Sequence, residues 1–413
     1  MKTSTSLRRF LRSIYGYAFF NKLMLLSPVY AVFMQDHGMS DMQLSVLFIL
    51  LSVATVGTQL PVTWLTNKLG QKNAIQLGQL LKGAGFVLWL IWPTFWGFAV
   101  GMCLWGAMSA FYNTAFEGLI YDELRARHHN NIYARVLGTR YNVQAFGAGL
   151  AAFGSLLMFV GYEWITIASL VSVALSMICI ARVDVRAHPT AMRRPVRRVR
   201  LIKLFKNAFH LCRTTPCIFL MLIVCELMSN FAYLDDYLSP IGIEIGLPVV
   251  YVGLMQFFVL GCMILGQTYA YKFEKIRDWI LYSAICVLGG CFVAFSLHYS
   301  IAGLLWLGVA YVLSSGLFVL LYARFQDFIP TTSRTVMLAI YSMIDNIIYI
   351  LMCLIMGLGG TLGSWRYSIL WVGAMLIGVG AWALVFVGNK CSINMNPNHR
   401  GIKTVQQIGS DVV

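Results

Sequence analysis

Residues 183–215 read VDVRAHPTAMRRPVRRVRLIKLFKNAFHLCRTT, and this stretch sets the layout of the chain. Counted from Arg182 to Arg213 it holds ten Lys and Arg, it contains Pro189 and Pro195, and it is the only long polar connection in 413 residues. Outward from it the sequence falls into long apolar blocks, each near the roughly 20 residues that a helix needs to cross about 30 Å of hydrocarbon. Six precede it, at Ser13–Met34, Met42–Leu65, Ala74–Trp92, Phe95–Leu119, Val136–Val160 and Trp164–Ala181. Six follow, at Pro216–Leu238, Val249–Tyr271, Trp279–Leu297, Ile301–Leu321, Val336–Gly359 and Ser364–Val387.

Composition agrees. Hydrophobic residues make up 59% of the chain and charged residues 11%, with a mean hydropathy of +0.73. A soluble domain carries about 25% charged residues, so a water-soluble core cannot absorb this much apolar surface. The expected fold is an all-α membrane protein of twelve transmembrane helices in two six-helix bundles. The expected division is an N-terminal bundle at 1–182, a basic cytoplasmic linker at 183–215, a C-terminal bundle at 216–389 and a cytoplasmic tail at 390–413.

The charges orient this scheme. Of 31 Lys and Arg, 27 fall in the tails and loops of one side; Lys22, Lys82 and Arg140 lie within spans, and Arg366 alone lies opposite. Basic residues accumulate in cytoplasmic loops, which puts both termini in the cytoplasm and explains the net charge of +15 without nucleic-acid binding. A missing span would scatter these residues over both sides. The location expected is a bacterial-type inner (plasma) membrane. The ten cysteines lie within spans or near the cytoplasmic side and contain no CxxC, so free thiols are expected. No cleavable signal peptide is expected, because the first apolar block is long enough to span.

The two halves echo each other about 200 residues apart. TNKLGQK after span 2 corresponds to YKFEKIR after span 8, and Arg135 and Arg334 each open the span that follows a matching loop. Two parallel repeats with a substrate site between them are a recurrent transporter architecture, in which rocking of the halves gives alternating access.

Here the chain resembles the major facilitator superfamily, over nearly its whole length. That family's signature between spans 2 and 3 reads approximately G-x-x-x-D-R-x-G-R-K. This chain keeps Lys68, Gly70 and Lys72 in kind, but has Thr63 at the leading Gly and Asn67 at the acid. The family's acid pairs with neighbouring cytoplasmic segments to hold a gate closed, whereas Asn67 can only hydrogen-bond. A denser match is FEGLIYDELRARHHNNIYARVLGTR, similar to a branch with E-x-x-x-Y-D-x-L ending span 4 and Y-x-R-x-x-G-x-R opening span 5. Those positions are Glu117, Tyr121, Asp122, Leu124, Tyr133, Arg135, Gly138 and Arg140. Drug antiporters of the family carry a Pro-containing span-5 motif, and no Pro occurs between Val136 and Tyr162. The resemblance implies an alternating-access carrier.

Ionisable groups within spans are the candidate working parts, since each costs a few kcal/mol or more unless paired or wetted. Glu226 lies ten residues into span 7, about 15 Å deep, and Asp345 lies at similar depth in span 11. A carboxyl group there can bind and release a proton, as a proton-coupled carrier requires; the alternative is a structural acid bonded to Asn230, Asn346 or Tyr349. Glu117 is a third candidate for proton coupling, with Lys82 or Arg140 as its partner if it is only an ion pair. Asp122 with Arg135 or Arg140, together with Lys68, is expected to gate the cytoplasmic mouth. Asn21, Lys22, Asn113 and Asn230 are assigned to the substrate cavity. Gly138, Gly147 and Gly149 on span 5, with Gly253, Gly261 and Gly266 on span 8, suit close helix approach. Trp89, Trp92, Trp96, Trp164, Trp365 and Trp371 are expected in the outer interfacial belt.

Other classes fit less well. The dipeptide Gly-Lys of a phosphate-binding loop does not occur, nor does H-E-x-x-H, and the seven His lie at or outside span ends. No enzyme activity, cofactor or metal is expected; the partners are a small-molecule substrate, protons and lipid, and the chain acts as a monomer. The function read is proton-coupled secondary active transport of a small organic solute, with efflux preferred. A proton-coupled uptake permease and a transport-inactive sensor on the same scaffold stay open as alternatives.

Overall fold

The computed structural model describes residues 5–129, 132–185, 222–228, 231–274, 276–328 and 334–386. Every regular element among them is helical. In the first half these are α1 (Thr5–Lys22), α2 (Tyr30–Asp36), α3 (Asp41–Leu69), α4 (Gln71–Ile91), α5 (Phe95–Ala126), α6 (Tyr133–Ala152) and α7 (Tyr162–Ala181). Then come α8 (Leu238–Glu244), α9 (Val249–Tyr269), α10 (Asp278–Leu297), α11 (Leu304–Phe328), α12 (Arg334–Thr361) and α13 (Trp365–Phe386). Ten helical segments among the described residues are long and apolar enough to cross a membrane.

The other two expected spans have distinct fates. Span 1 is not one helix: α1 ends at Lys22 and the chain turns through Leu23–Val29 before α2. Span 7 lies partly outside the described residues; its described parts are a helical stretch at 222–228, a 3-10 segment at Phe231–Tyr237 and α8. The linker and the tail fall outside the described residues almost entirely.

Local chemistry explains several ends. Ser40 caps α3 reciprocally: its hydroxyl accepts from the Gln43 amide at 3.3 Å, and its own amide donates to the Gln43 side chain at 3.0 Å. The chain leaves α3 for α4 through Gly70 at φ +82°, a left-handed conformation that favours glycine, which accounts for the surviving Gly of the span 2–3 signature.

Two compact units result. The first comprises Met1–Arg194 with Tyr237–Phe257, and the second Pro195–Asp236 with Phe258–Val413. In the first, α5 packs on α3 and α4, α4 on α7, and α1 on α6 and α7. Its core joins Phe10 and Ile14 of α1 to Ile75, Phe116, Leu119 and Ile180. In the second, α10 packs on α11 and α13, and α12 packs on α13. Spans 3, 4 and 6 therefore pair in one unit as spans 9, 10 and 12 pair in the other, which is what a duplicated six-span module produces.

The tryptophans divide. Trp92, Trp96, Trp164 and Trp371 are exposed, as interfacial residues are, but Trp89 is fully buried among Phe86, Phe98 and Trp105, and Trp365 is also buried. The aromatic cluster inside the first unit outcompetes the membrane interface for Trp89. The seven described cysteines are free thiols.

The glycines divide too. A Cβ on Gly253 would sit 1.7 Å from the Ala152 carbonyl oxygen and 2.4 Å from Ser155 Oγ, and Gly147 and Gly266 face backbone carbonyls almost as closely. Gly138 and Gly261 face open space, so the close-approach reading does not extend to them. The Gly253 amide also donates to Ser155 Oγ at 3.0 Å, and that hydroxyl donates to the Val250 carbonyl at 2.8 Å. Gly253→Val is expected to destabilise the protein by about 3 kcal/mol or more, as forced overpacking against backbone does. Thermal unfolding of detergent-purified protein measures this, with Gly261→Val as the near-neutral control.

Candidate functional site

The break in span 1 is built from side chains far away in sequence. Non-helical backbone at membrane depth persists only when its polar groups are answered inside the protein. Lys82 of α4 donates to the Asn21 carbonyl at 2.9 Å and to Asn21 Oδ1 at 3.1 Å. Ser169 of α7 accepts from the Leu26 amide at 2.9 Å, and Ser239 of α8 donates to the Pro28 carbonyl at 2.8 Å. Gly154 leaves room for the Leu25 carbonyl, which would lie 2.1 Å from a Cβ there. Gln79 extends the network by donating to Tyr17 OH at 2.9 Å and to Asn21 Oδ1 at 3.0 Å, and it accepts from Ser176. Asn21, assigned from sequence to the substrate cavity, is thus buried and its side-chain oxygen is committed to Gln79 and Lys82; Lys22 and Asn113 are exposed. Asn230 lies outside the described residues.

A second cluster surrounds Arg140. This guanidinium is 2% exposed; Nη2 donates to Glu117 Oε1 at 2.8 Å and Nη1 to Tyr112 OH at 2.9 Å. The Tyr141 hydroxyl donates to the same Glu117 oxygen at 3.1 Å, and Gln144 donates to Tyr112 OH at 2.6 Å. The Arg140 plane lies 4.1 Å from the Tyr141 ring centroid and 5.5 Å from that of Phe116. Glu117 is 48% exposed, so a carboxylate is presented at the surface of the unit while a buried cation balances it. Of the two partners weighed for Glu117, the structure brings Arg140 and leaves Lys82 with Asn21.

Near the C-terminal end of α5 Asp122 accepts from the Gln71 side chain at 3.0 Å and makes no ion pair among the described residues. Arg140 starts seven residues inside α6, about 10 Å along its axis, which sets it level with Glu117 and beyond Asp122. Arg135 and Lys68 are exposed, the latter over the Trp64 ring. Two basic residues, Lys72 of the span 2–3 signature and Arg127, to which the sequence assigned no role, tie down the end of α7. Lys72 donates to the Val183 carbonyl at 2.8 Å, and Arg127 pairs with Glu123 while donating to the Asp184 carbonyl at 2.6 Å. These contacts extend the cation–dipole attraction expected at a helix C-terminus.

The second unit holds acids and tyrosines. Glu226 is fully buried and lies against Asp345 and Tyr341, so two of the expected proton-coupling residues come together across spans 7 and 11. Asp236 accepts from Tyr349 OH at 2.8 Å, and Asp235 lies beside Tyr311. Asp235 and Asp236 escaped the sequence reading because they sit near the predicted end of span 7, where a carboxylate needs no special account. Two carboxyl groups in contact in a low-dielectric setting cannot both stay ionised without a cation, so such a pair is suited to hold one proton between them.

Three comparisons bear on this arrangement. The sequence profile of the Major Facilitator Superfamily matches residues 13–325. No curated protein shows a significant sequence match. Solved structures match closely in fold: the POT family transporter PepTSo at TM-score 0.71 and 11% identity covers 94% of this chain and 98% of its own. The nucleoside transporter NupG matches at 0.70 and 12% identity, covering 94% and 100%, and a D-xylose-proton symporter at 0.67 and 11%, covering 92% and 96%. This chain is a multi-pass membrane transporter, not an enzyme, and it belongs to the Major Facilitator Superfamily.

Proposed function

We propose that the protein is a proton-coupled secondary carrier of a small organic solute, working by alternating access in a bacterial-type inner membrane, with export preferred over uptake. The observation that carries the coupling is Glu226, buried at mid-span against Asp345 and Tyr341. Spans 7 to 9, from Pro216 to Tyr271 and from Trp279 to Leu297, contain no Lys or Arg. A proton is the cation that fits such a site, and a carrier that exposes it first to one side and then to the other couples proton flow to solute movement. Glu117, held by Arg140, is the second coupling candidate in this reading. The carrier acts as a monomer, with the cytoplasmic gate at Asp122, Arg135 and Lys68, since Arg140 is taken up by Glu117. The resemblance in fold to a protein described as a D-xylose-proton symporter favours uptake as the second reading.

The deciding experiment compares metabolites inside and outside cells that lack the protein with cells that overproduce it. A solute retained inside overproducing cells supports uptake, and one released supports export; no difference in any solute under either condition counts against transport and for a sensor. Both termini are expected in the cytoplasm on the 27-to-1 distribution of loop charges. A fluorescent reporter fused after Val413 that folds only in the cytoplasm is expected to be active, and a periplasm-dependent phosphatase at the same place inactive. The opposite result would reverse the topology.

A further inference from the structure

We propose that Lys82 is a proton-binding site that controls the break in span 1: its ammonium holds the C-terminal end of α1 on the two Asn21 oxygens, and transfer of one proton from Nζ to water leaves an amine that holds it less tightly. The Asn21 carbonyl is one of the groups that α1 would bond internally if it continued past Lys22, and Lys82 takes over that role at 2.9 Å. The end of a helix carries partial negative charge, so a cation there is attracted twice, by the dipole and by the hydrogen bonds.

Other negative charge is absent from the surroundings of Lys82 among the described residues. Neither α1, α4 nor α6 contains an Asp or Glu. The acids of α5 are committed elsewhere, Glu117 to Arg140, Asp122 to Gln71 and Glu123 to Arg127. In α7 the single acid, Glu163, stands in the first turn, and in α3 the single acid, Asp41, is bonded to Gln35. The titratable group facing Lys82 is Lys22 of α1; Tyr17 of α1 and Ser176 of α7 are joined to the site through Gln79. Lys82 is 2% exposed and lies about 16 Å along α4 from Gln71, near the middle of the membrane. Its charge is therefore answered by the helix end and the Asn21 amide oxygen with no carboxylate, and the state of that end follows the proton. The proposal does not rest on Glu226 carrying the coupling proton.

Hydrogen–deuterium exchange of the full chain in lipid nanodiscs tests it, with peptides covering residues 17–30 followed from pH 6 to 10 and each rate divided by the intrinsic chemical rate. Protection at Leu23–Val29 is expected to fall about tenfold across this range in the wild type, the difference between a charge-assisted and a neutral hydrogen bond. Lys82→Arg, which keeps its charge, should stay protected throughout, and Lys82→Gln should sit at the low level throughout; if one variant does not fold, the other against wild type decides. Glu226→Gln should keep the wild-type profile. Flat wild-type protection overturns the proposal, as does a Lys82→Arg profile that falls with the wild type, which would assign the response to Lys22 or Tyr17.

Discussion

Glu226→Gln is expected to abolish accumulation of the transported solute driven by a pH gradient while leaving its binding and its exchange across the membrane largely intact. The side chain keeps its shape and stays neutral, so the site in the second unit can no longer take a proton from one side and give it to the other. One pH unit supports about tenfold accumulation in a one-proton carrier, since it corresponds to about 1.36 kcal/mol; the variant should fall to a ratio near one. Proteoliposomes with an imposed gradient, loaded with the solute that the metabolite comparison identifies, measure this directly. Asp345→Asn removes the second carboxyl group of the contact and should lower coupling as well, although Glu226 alone can still carry a proton. Wild-type accumulation in Glu226→Gln would make the acid structural and pass the role to Asp345 or to Glu117, whose carboxylate lies at the surface of the first unit.

Span length was legible because its cost is local: each helix must cross the same thickness of hydrocarbon. The depth of Glu226 and Asp345 followed from counting, but their contact did not, because spans 7 and 11 are separated by more than 100 residues. Span 1 misled for a related reason. Ser13–Met34 is long and apolar and contains only Pro28 as a local warning, and the break after Lys22 is stabilised by Lys82, Ser169 and Ser239, none of which is near it in sequence. A lysine in the middle of an apolar block signalled that something unusual needed it, and pairing with a carboxylate was the familiar answer. A helix end serves the same electrostatic purpose and leaves no motif. Asp122 illustrates the converse: two arginines stood at matching places in the next span, yet axial depth gave Arg140 to Glu117 and left Asp122 to Gln71.

The two halves of that Arg140–Glu117 pair should differ in what their loss costs, because they differ in burial. Glu117→Gln leaves a guanidinium that is 2% exposed without its carboxylate, and stranding a buried charge costs about 3 kcal/mol or more. Tyr112 and the rings of Tyr141 and Phe116 offset part of this, but none of them carries a full negative charge. Arg140→Met leaves a carboxylate that is 48% exposed and can hydrate, so about 1 kcal/mol is expected for the lost pair, with methionine filling much of the space of the arginine stem. Removing both in Glu117→Gln/Arg140→Met should then be milder than removing Glu117 alone, the non-additivity expected when the single variant strands a charge. Thermal unfolding of the three variants and the wild type in one detergent gives the comparison. If the two single variants are equally destabilised and the double variant is their sum, Arg140 is held by its packing and the tyrosines, and Glu117 is free to serve a moving proton or solute without unseating it.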